Sequence, residues 1–131
     1  LFLEYFFPHL KMIVKELVKD GFTPRLHCDG DWMPFLEYFR ELPKKSCIIE
    51  LDVETNFKKA KDILGGHICL YGNVPTKLLF TGSPLKVKKY CRKLIEDVGH
   101  DGFILANDDI VPHNARFENV KMIVDTGKKY G

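Results

Sequence analysis

Apolar positions along the chain alternate between two periods. Leu10, Ile13, Val14, Leu17 and Val18 fall on one helical stripe, which Gly21 ends. Pro24 to Asp29 reads as a short strand entering a turn at Asp29-Gly30-Asp31, and a helix from Pro34 to Leu42 stops at Pro43. Ser46 to Asp52 is a second strand, and Phe57, Ala60, Ile63 and Leu64 mark the next helix before Gly65-Gly66. His67 to Asn73 is a third strand. Ser83-Pro84 supplies a cap and a first-turn proline for the clearest stripe, Val87, Tyr90, Cys91, Leu94, Ile95 and Val98, closed by Gly99. Gly102 to Asn107 is a fourth strand, and a last helix carries Val120, Ile123 and Val124.

Strand–helix repetition of this kind, without hairpin signals, predicts an α/β fold of parallel strands joined by right-handed crossovers. Two architectures fit. One is an open doubly wound parallel sheet, and the other is a parallel (βα)4 unit forming half of a (β/α)8 TIM barrel, since a whole barrel takes about 250 residues. No linker, repeat or low-complexity tract divides residues 1–131, which read as a single unit.

Composition narrows the class. With 45% apolar and 29% charged residues the chain can build a core, and a net charge of +2 spread along it leaves no footprint for nucleic acid or an anionic membrane. No run approaches the roughly 18 apolar residues that span a bilayer. The opening Leu-Phe-Leu-Glu-Tyr-Phe-Phe meets Pro8 and charge too soon for a signal peptide, and by pattern it starts in mid-helix, as a piece of a longer protein does. Cys28, Cys47, Cys69 and Cys91 are widely spaced, without a Cys-x-x-Cys pair, which points to free thiols and a cytoplasmic location. The lysine-rich stretch from Lys86 to Lys93 is interrupted by the apolar stripe and reads as a solvated helix face.

In both architectures ligands bind at the carboxyl ends of the strands, and the polar groups collect there. His27 and Asp29 close the first strand, Glu50 and Asp52 the second, Tyr71 and Asn73 the third, and Asn107, Asp108 and Asp109 the fourth. Any one of these is ordinary turn chemistry; together they suggest a site. His27 and Asp29, two apart on an extended strand, share a face that Cys28 does not. Such a pair orients a histidine as a proton donor or holds a divalent metal, with Asp109 and Glu50 as further candidate ligands and Cys28 excluded. Cys47 and Cys69 sit in apolar strands and read as core. His67 begins its strand at the opposite end, and His113 lies beyond Pro112 with a weaker claim on the cleft.

Leu26-His27-Cys28-Asp29-Gly30-Asp31-Trp32-Met33-Pro34-Phe35-Leu36, Leu70-Tyr71-Gly72-Asn73-Val74-Pro75 and Gly102-Phe103-Ile104-Leu105-Ala106, with Val111-Pro112 and Glu118-Asn119-Val120, resemble the carboxyl-terminal half of the uroporphyrinogen decarboxylase superfamily. The resemblance, rather than periodicity, selects the barrel and implies that this chain supplies its last four units. It implies either a corrinoid-dependent methyltransferase, working with a corrinoid carrier protein and a small substrate, or a true decarboxylase of tetrapyrrole synthesis acting on a free tetrapyrrole without a cofactor. Zinc-dependent methyltransferases of the superfamily bind metal through a His-x-Cys and a later Cys. His27 matches the histidine, but Asp29 and Asp109 stand at the thiolate positions, a harder donor set for zinc or another divalent metal. The decarboxylase's histidine after the last strand is unmatched by Asn107-Asp108-Asp109, so the methyltransferase branch is the favoured expectation and His27, Asp29 and Asp109 its catalytic candidates. Glu50, Asp52, Tyr71, Asn73, Asn107 and Asp108 are the substrate-binding candidates. A third reading is a non-catalytic fragment or assembly domain. A half barrel also leaves two strand edges and a concave face uncovered, so the missing amino-terminal half or a homo-oligomer is expected to cover them. On this reading Ile48, Ile49, Ile68, Leu70, Ile104 and Leu105 include the apolar residues lining that face.

Overall fold

The computed structural model describes residues 1–131. A π-helical turn, Phe2–Phe6, runs into α1 (Phe7–Lys19), followed by β1 (Arg25–Cys28), a 3-10 helix (Met33–Glu41) and β2 (Ile48–Leu51). Then come α2 (Phe57–Leu64), β3 (Cys69–Val74), α3 (Thr76–Thr81), α4 (Pro84–Val98), β4 (Phe103–Asn107) and α5 (Phe117–Tyr130). The sheet order is β1-β2-β3-β4 with every pair parallel, the order of consecutive units in a barrel wall. The expected strands and helices are all present, with boundaries shifted by one or two residues.

Local chemistry explains the boundaries. The Asn56 side chain accepts the Lys59 amide at 3.0 Å and starts α2, while Ser83 accepts the Lys86 amide at 3.4 Å ahead of Pro84 and starts α4. Gly99, at φ +75°, ends α4 in a conformation that L side chains rarely adopt. The helix expected from Pro34 winds as a 3-10 helix. Its rings pack on the chain's amino-terminal turn, with the Phe2 centroid 4.2 Å from that of Phe35 and 6.0 Å from that of Tyr38. Helix α3 was not expected. Its first amide, on Thr76, is received by the Asp108 carboxylate at 2.7 Å, a cap supplied from 32 residues away.

Strand alternation separates two faces. Ile49, Leu51 and Leu70 are fully buried against the helices together with Leu36, Leu64 and Val87. In-register partners share a face, so Arg25, Ile48 and Cys69 form one layer of the open face and His27, Glu50, Tyr71 and Ile104 the next. This corrects the expectation of an apolar concave surface. Of the residues named for it, Ile48 and Ile104 face the open side, while Ile49 and Leu70 are buried beneath the helices at 0% exposure. The strands are apolar toward the helices and largely polar toward the opening.

The two faces differ in energetic weight. Leu70→Ala is expected to cost about 2–5 kcal/mol in urea unfolding, as cavity formation in a packed core does, and Ile104→Ala, 39% exposed, well under half as much. Equal losses at the two positions would contradict the assignment of faces.

Candidate active site

The site is built where β1 and β2 run side by side. The register sets His27 opposite Glu50 and Glu50 opposite Tyr71, so the three side chains stand in a row on the open face. Glu50 is buried at 5% exposure, and its Oε2 lies 3.0 Å from Nδ1 of His27 and 3.4 Å from Nε of Arg25. These are close ion-pair contacts that lack the alignment of a hydrogen bond. On the other side of the ring, Nε2 of His27 lies 2.8 Å from Oδ1 of Asp29 and 3.9 Å from Oδ1 of Asp109. An imidazole facing carboxylates through both nitrogens is best satisfied when it is protonated. The Glu50 carboxylate holds its pKa above the ordinary value near 6.5, against an opposing desolvation, and Asp29 and Asp109 add to the rise.

The loop after β1 is pinned so that Asp29 stays in place. Gly30, at φ +84°, turns the chain, its amide donates to Oδ2 of Asp52 at 2.8 Å, and its carbonyl accepts the Thr55 hydroxyl at 3.0 Å. The Thr55 hydroxyl oxygen also receives the Trp32 amide at 2.9 Å, and the Trp32 indole N–H donates to the Asp29 carbonyl at 2.9 Å. Asp52 is thereby a loop clamp, and burial raises its carboxyl pKa despite the Gly30 amide. Asp108 is a second clamp, accepting both the amide and the hydroxyl of Thr76 at 2.7 and 2.5 Å. Asn73 is buried and its amide donates to the Asp52 carbonyl at 3.4 Å.

The nine predicted residues therefore divide. His27, Glu50, Tyr71, Asn107 and Asp109 line one cleft of about 430 Å³, and Asp29 touches its histidine. Asp52, Asn73 and Asp108 make the loop contacts just described. Asn107 donates to the Asp109 carbonyl and so shapes the loop bearing that carboxylate. His113 is exposed and outside the cleft lining. Arg25 was missed, although its spacing of two from His27 places both on one strand face; its guanidinium lies over the Tyr71 ring, 5.1 Å from the centroid. Ile110 and Val111, at 80% and 44% exposure, form an apolar lip on the same cleft.

The donor set does not fit a metal as arranged. No group of three His, Cys, Asp or Glu side chains is disposed to hold an ion, and both nitrogens of His27 face carboxylates. Cys28 lies on the helix side, where burial pushes its thiol up to about 12. A larger hollow of about 710 Å³ opens at the other end of the sheet, where the strands begin. Its polar groups are used structurally: Nε2 of His67 contacts the Leu42 carbonyl at 2.9 Å, and Lys61 donates to the Asp101 carbonyl.

The family model described as uroporphyrinogen decarboxylase matches residues 1–130. The chain belongs to the uroporphyrinogen decarboxylase family. No curated protein matches it by sequence. A methyltransferase from Methanosarcina mazei has the same fold over 98% of this chain, with a TM-score of 0.81 and 23% identity. The chain spans 36% of that methyltransferase, so the family's barrel is represented here by four of its strand–helix units. No helix is long and apolar enough to cross a membrane.

Two measurements test the site. In a proton NMR titration His27 should lose its proton above the ordinary histidine value, and Glu50→Gln should move that value down. Because the folded-state value is raised, the stabilisation this contact contributes is complete below about 6.5 and lost as pH rises through the folded-state pKa. A stability that climbs across that window in the wild type alone would contradict the assignment. Separately, Cys28 and Cys91, with thiols pushed up to about 12, should resist alkylation near neutral pH until the protein is unfolded.

Proposed function

We propose that this chain carries the proton-donating wall of a family barrel that moves a methyl group between a small substrate and a corrinoid held by a partner protein. The observation that carries this reading is His27, held between Glu50 and Asp29 with its pKa raised and facing the cleft at the carboxyl ends of the strands. Breaking a bond between methyl carbon and a heteroatom leaves an electron pair on that heteroatom, and a positioned acid lowers the barrier by receiving that charge as a bond to hydrogen. Nε2 of His27 donates the proton, Glu50 supports the ring through Nδ1, and Asp29 steadies the cation before transfer. The corrinoid would supply a nucleophilic cobalt for the methyl carbon. The exposed Ile110 and Val111 on the cleft lip suit the docking of such a carrier.

Charge favours this reading over the decarboxylase one. A polycarboxylate tetrapyrrole calls for cations around its acid arms, whereas the strand ends carry Asp29, Glu50, Asp52, Asp108 and Asp109 against Arg25 and His27. β1 and β4 are edge strands, so the working site is that of an assembled barrel closed by further strands, from the same polypeptide or a second copy. The free thiols Cys28, Cys47, Cys69 and Cys91 support a cytoplasmic location.

Transfer of a carbon-13 methyl label from small methyl ethers to a corrinoid carrier, measured with the assembled barrel, tests the proposal. His27→Gln should slow transfer by roughly 10²-fold or more, the scale of general acid catalysis. Glu50→Gln should shift the alkaline limb of the rate profile to lower pH. Undiminished transfer in His27→Gln would overturn the role, and turnover of uroporphyrinogen would favour the decarboxylase.

A further inference from the structure

Arg25 is the one permanently cationic side chain in the cleft. Its Nε lies 3.4 Å from the Glu50 carboxylate, and its Cζ lies 5.1 Å from the centroid of the Tyr71 ring. The guanidinium donates no hydrogen bond within the protein, and the side chain is 53% exposed. A half-exposed guanidinium held beside an acid and an aromatic ring, with no hydrogen bond of its own, can take a carboxylate through two parallel N–H donors.

Its position also bears on the reaction. Arg25 and His27 are two residues apart on the same face of β1, a separation of roughly 7 Å along a strand. Arg25 opens β1 in the layer of Ile48 and Cys69 and reaches Glu50, on the Nδ1 side of His27, whereas the carboxylates of Asp29 and Asp109 lie on the Nε2 side. An anionic ligand group on Arg25 therefore avoids the Asp29 and Asp109 side of the cleft.

We propose that Arg25 is an anion-recognition residue, selecting small substrates that carry a carboxylate two or three bonds from the methylated heteroatom presented to His27. The substrate class rests on the methyl-transfer reading above; the anion site itself does not.

Titration of the protein with methoxyacetate and with its uncharged counterpart methoxyacetamide, followed by NMR at His27 and at the Arg25 side chain, separates the two. Methoxyacetate should bind at least roughly tenfold more tightly than the amide, as expected for a charge-assisted pair. Arg25→Gln should remove that preference. Arg25→Lys keeps the charge but loses the fork, so it should show a reduced preference; it carries the test if Arg25→Gln fails to fold. Equal affinities for acid and amide in the wild type, or a preference that survives in Arg25→Lys and Arg25→Gln alike, would overturn the proposal. Methoxyacetate held through Arg25 but never demethylated in the presence of a corrinoid carrier would leave the anion site standing and count against the methyl-transfer reading alone.

Discussion

The parallel register between β1 and β2 is the constraint on which the rest of the site depends. Side chains on a strand alternate with a period of two, so a slip of one residue would exchange His27 for Cys28 opposite Glu50 and send the imidazole under the helices. That slip is blocked from both sides of the sheet. Ile49, Leu51 and Leu70 fill the space beneath the helices, and the Gly30–Asp52 and Trp32–Thr55 bonds stitch the two following loops together. Apolar packing sets the register, and the register delivers the polar row to the opening.

Glu50 then organises the charges. A carboxylate with 5% exposure is costly unless opposite charge and donors reach it, and here His27 and Arg25 approach the same oxygen. Removing either cation leaves the other as the sole compensation. The same arrangement explains why the imidazole's pKa is raised: one ring nitrogen faces a buried acid and the other the solvent-facing Asp29. The contact that raises the imidazole's pKa is thus the same one that makes the buried acid tolerable.

Much of this architecture was legible in the sequence, because each strand and long helix announces itself by period and by a stop or cap residue. The row of polar groups at the strand ends was legible for the same reason. The division of labour within that row was not. Asp52 and Asp108 look like Glu50 on the page, yet they are drawn into loop clamps by amides 22 and 32 residues away, which no local pattern reports. The six-residue α3 escaped for a related cause, its first amide being satisfied by a distant side chain rather than a local cap. Which of the apolar strand residues line the open face was not legible, because a run such as Ile48-Ile49 does not reveal which member faces the helices. Arg25 was overlooked although the alternation that singled out His27 applies to it equally.

The aromatic packing around the amino-terminal turn has an optical corollary. Trp32 is the only tryptophan in the chain, its ring is flanked by Phe2, Phe35 and Phe39, and its indole N–H ends on the carbonyl of Asp29. The polarity sensed by that indole is therefore tied to the placement of the residue bearing the carboxylate beside His27. Intrinsic emission from this single chromophore makes the loop after β1 its own reporter: a ligand that displaces Asp29 changes the hydrogen bond at the indole, and the protein signals occupancy of the cleft without any added label.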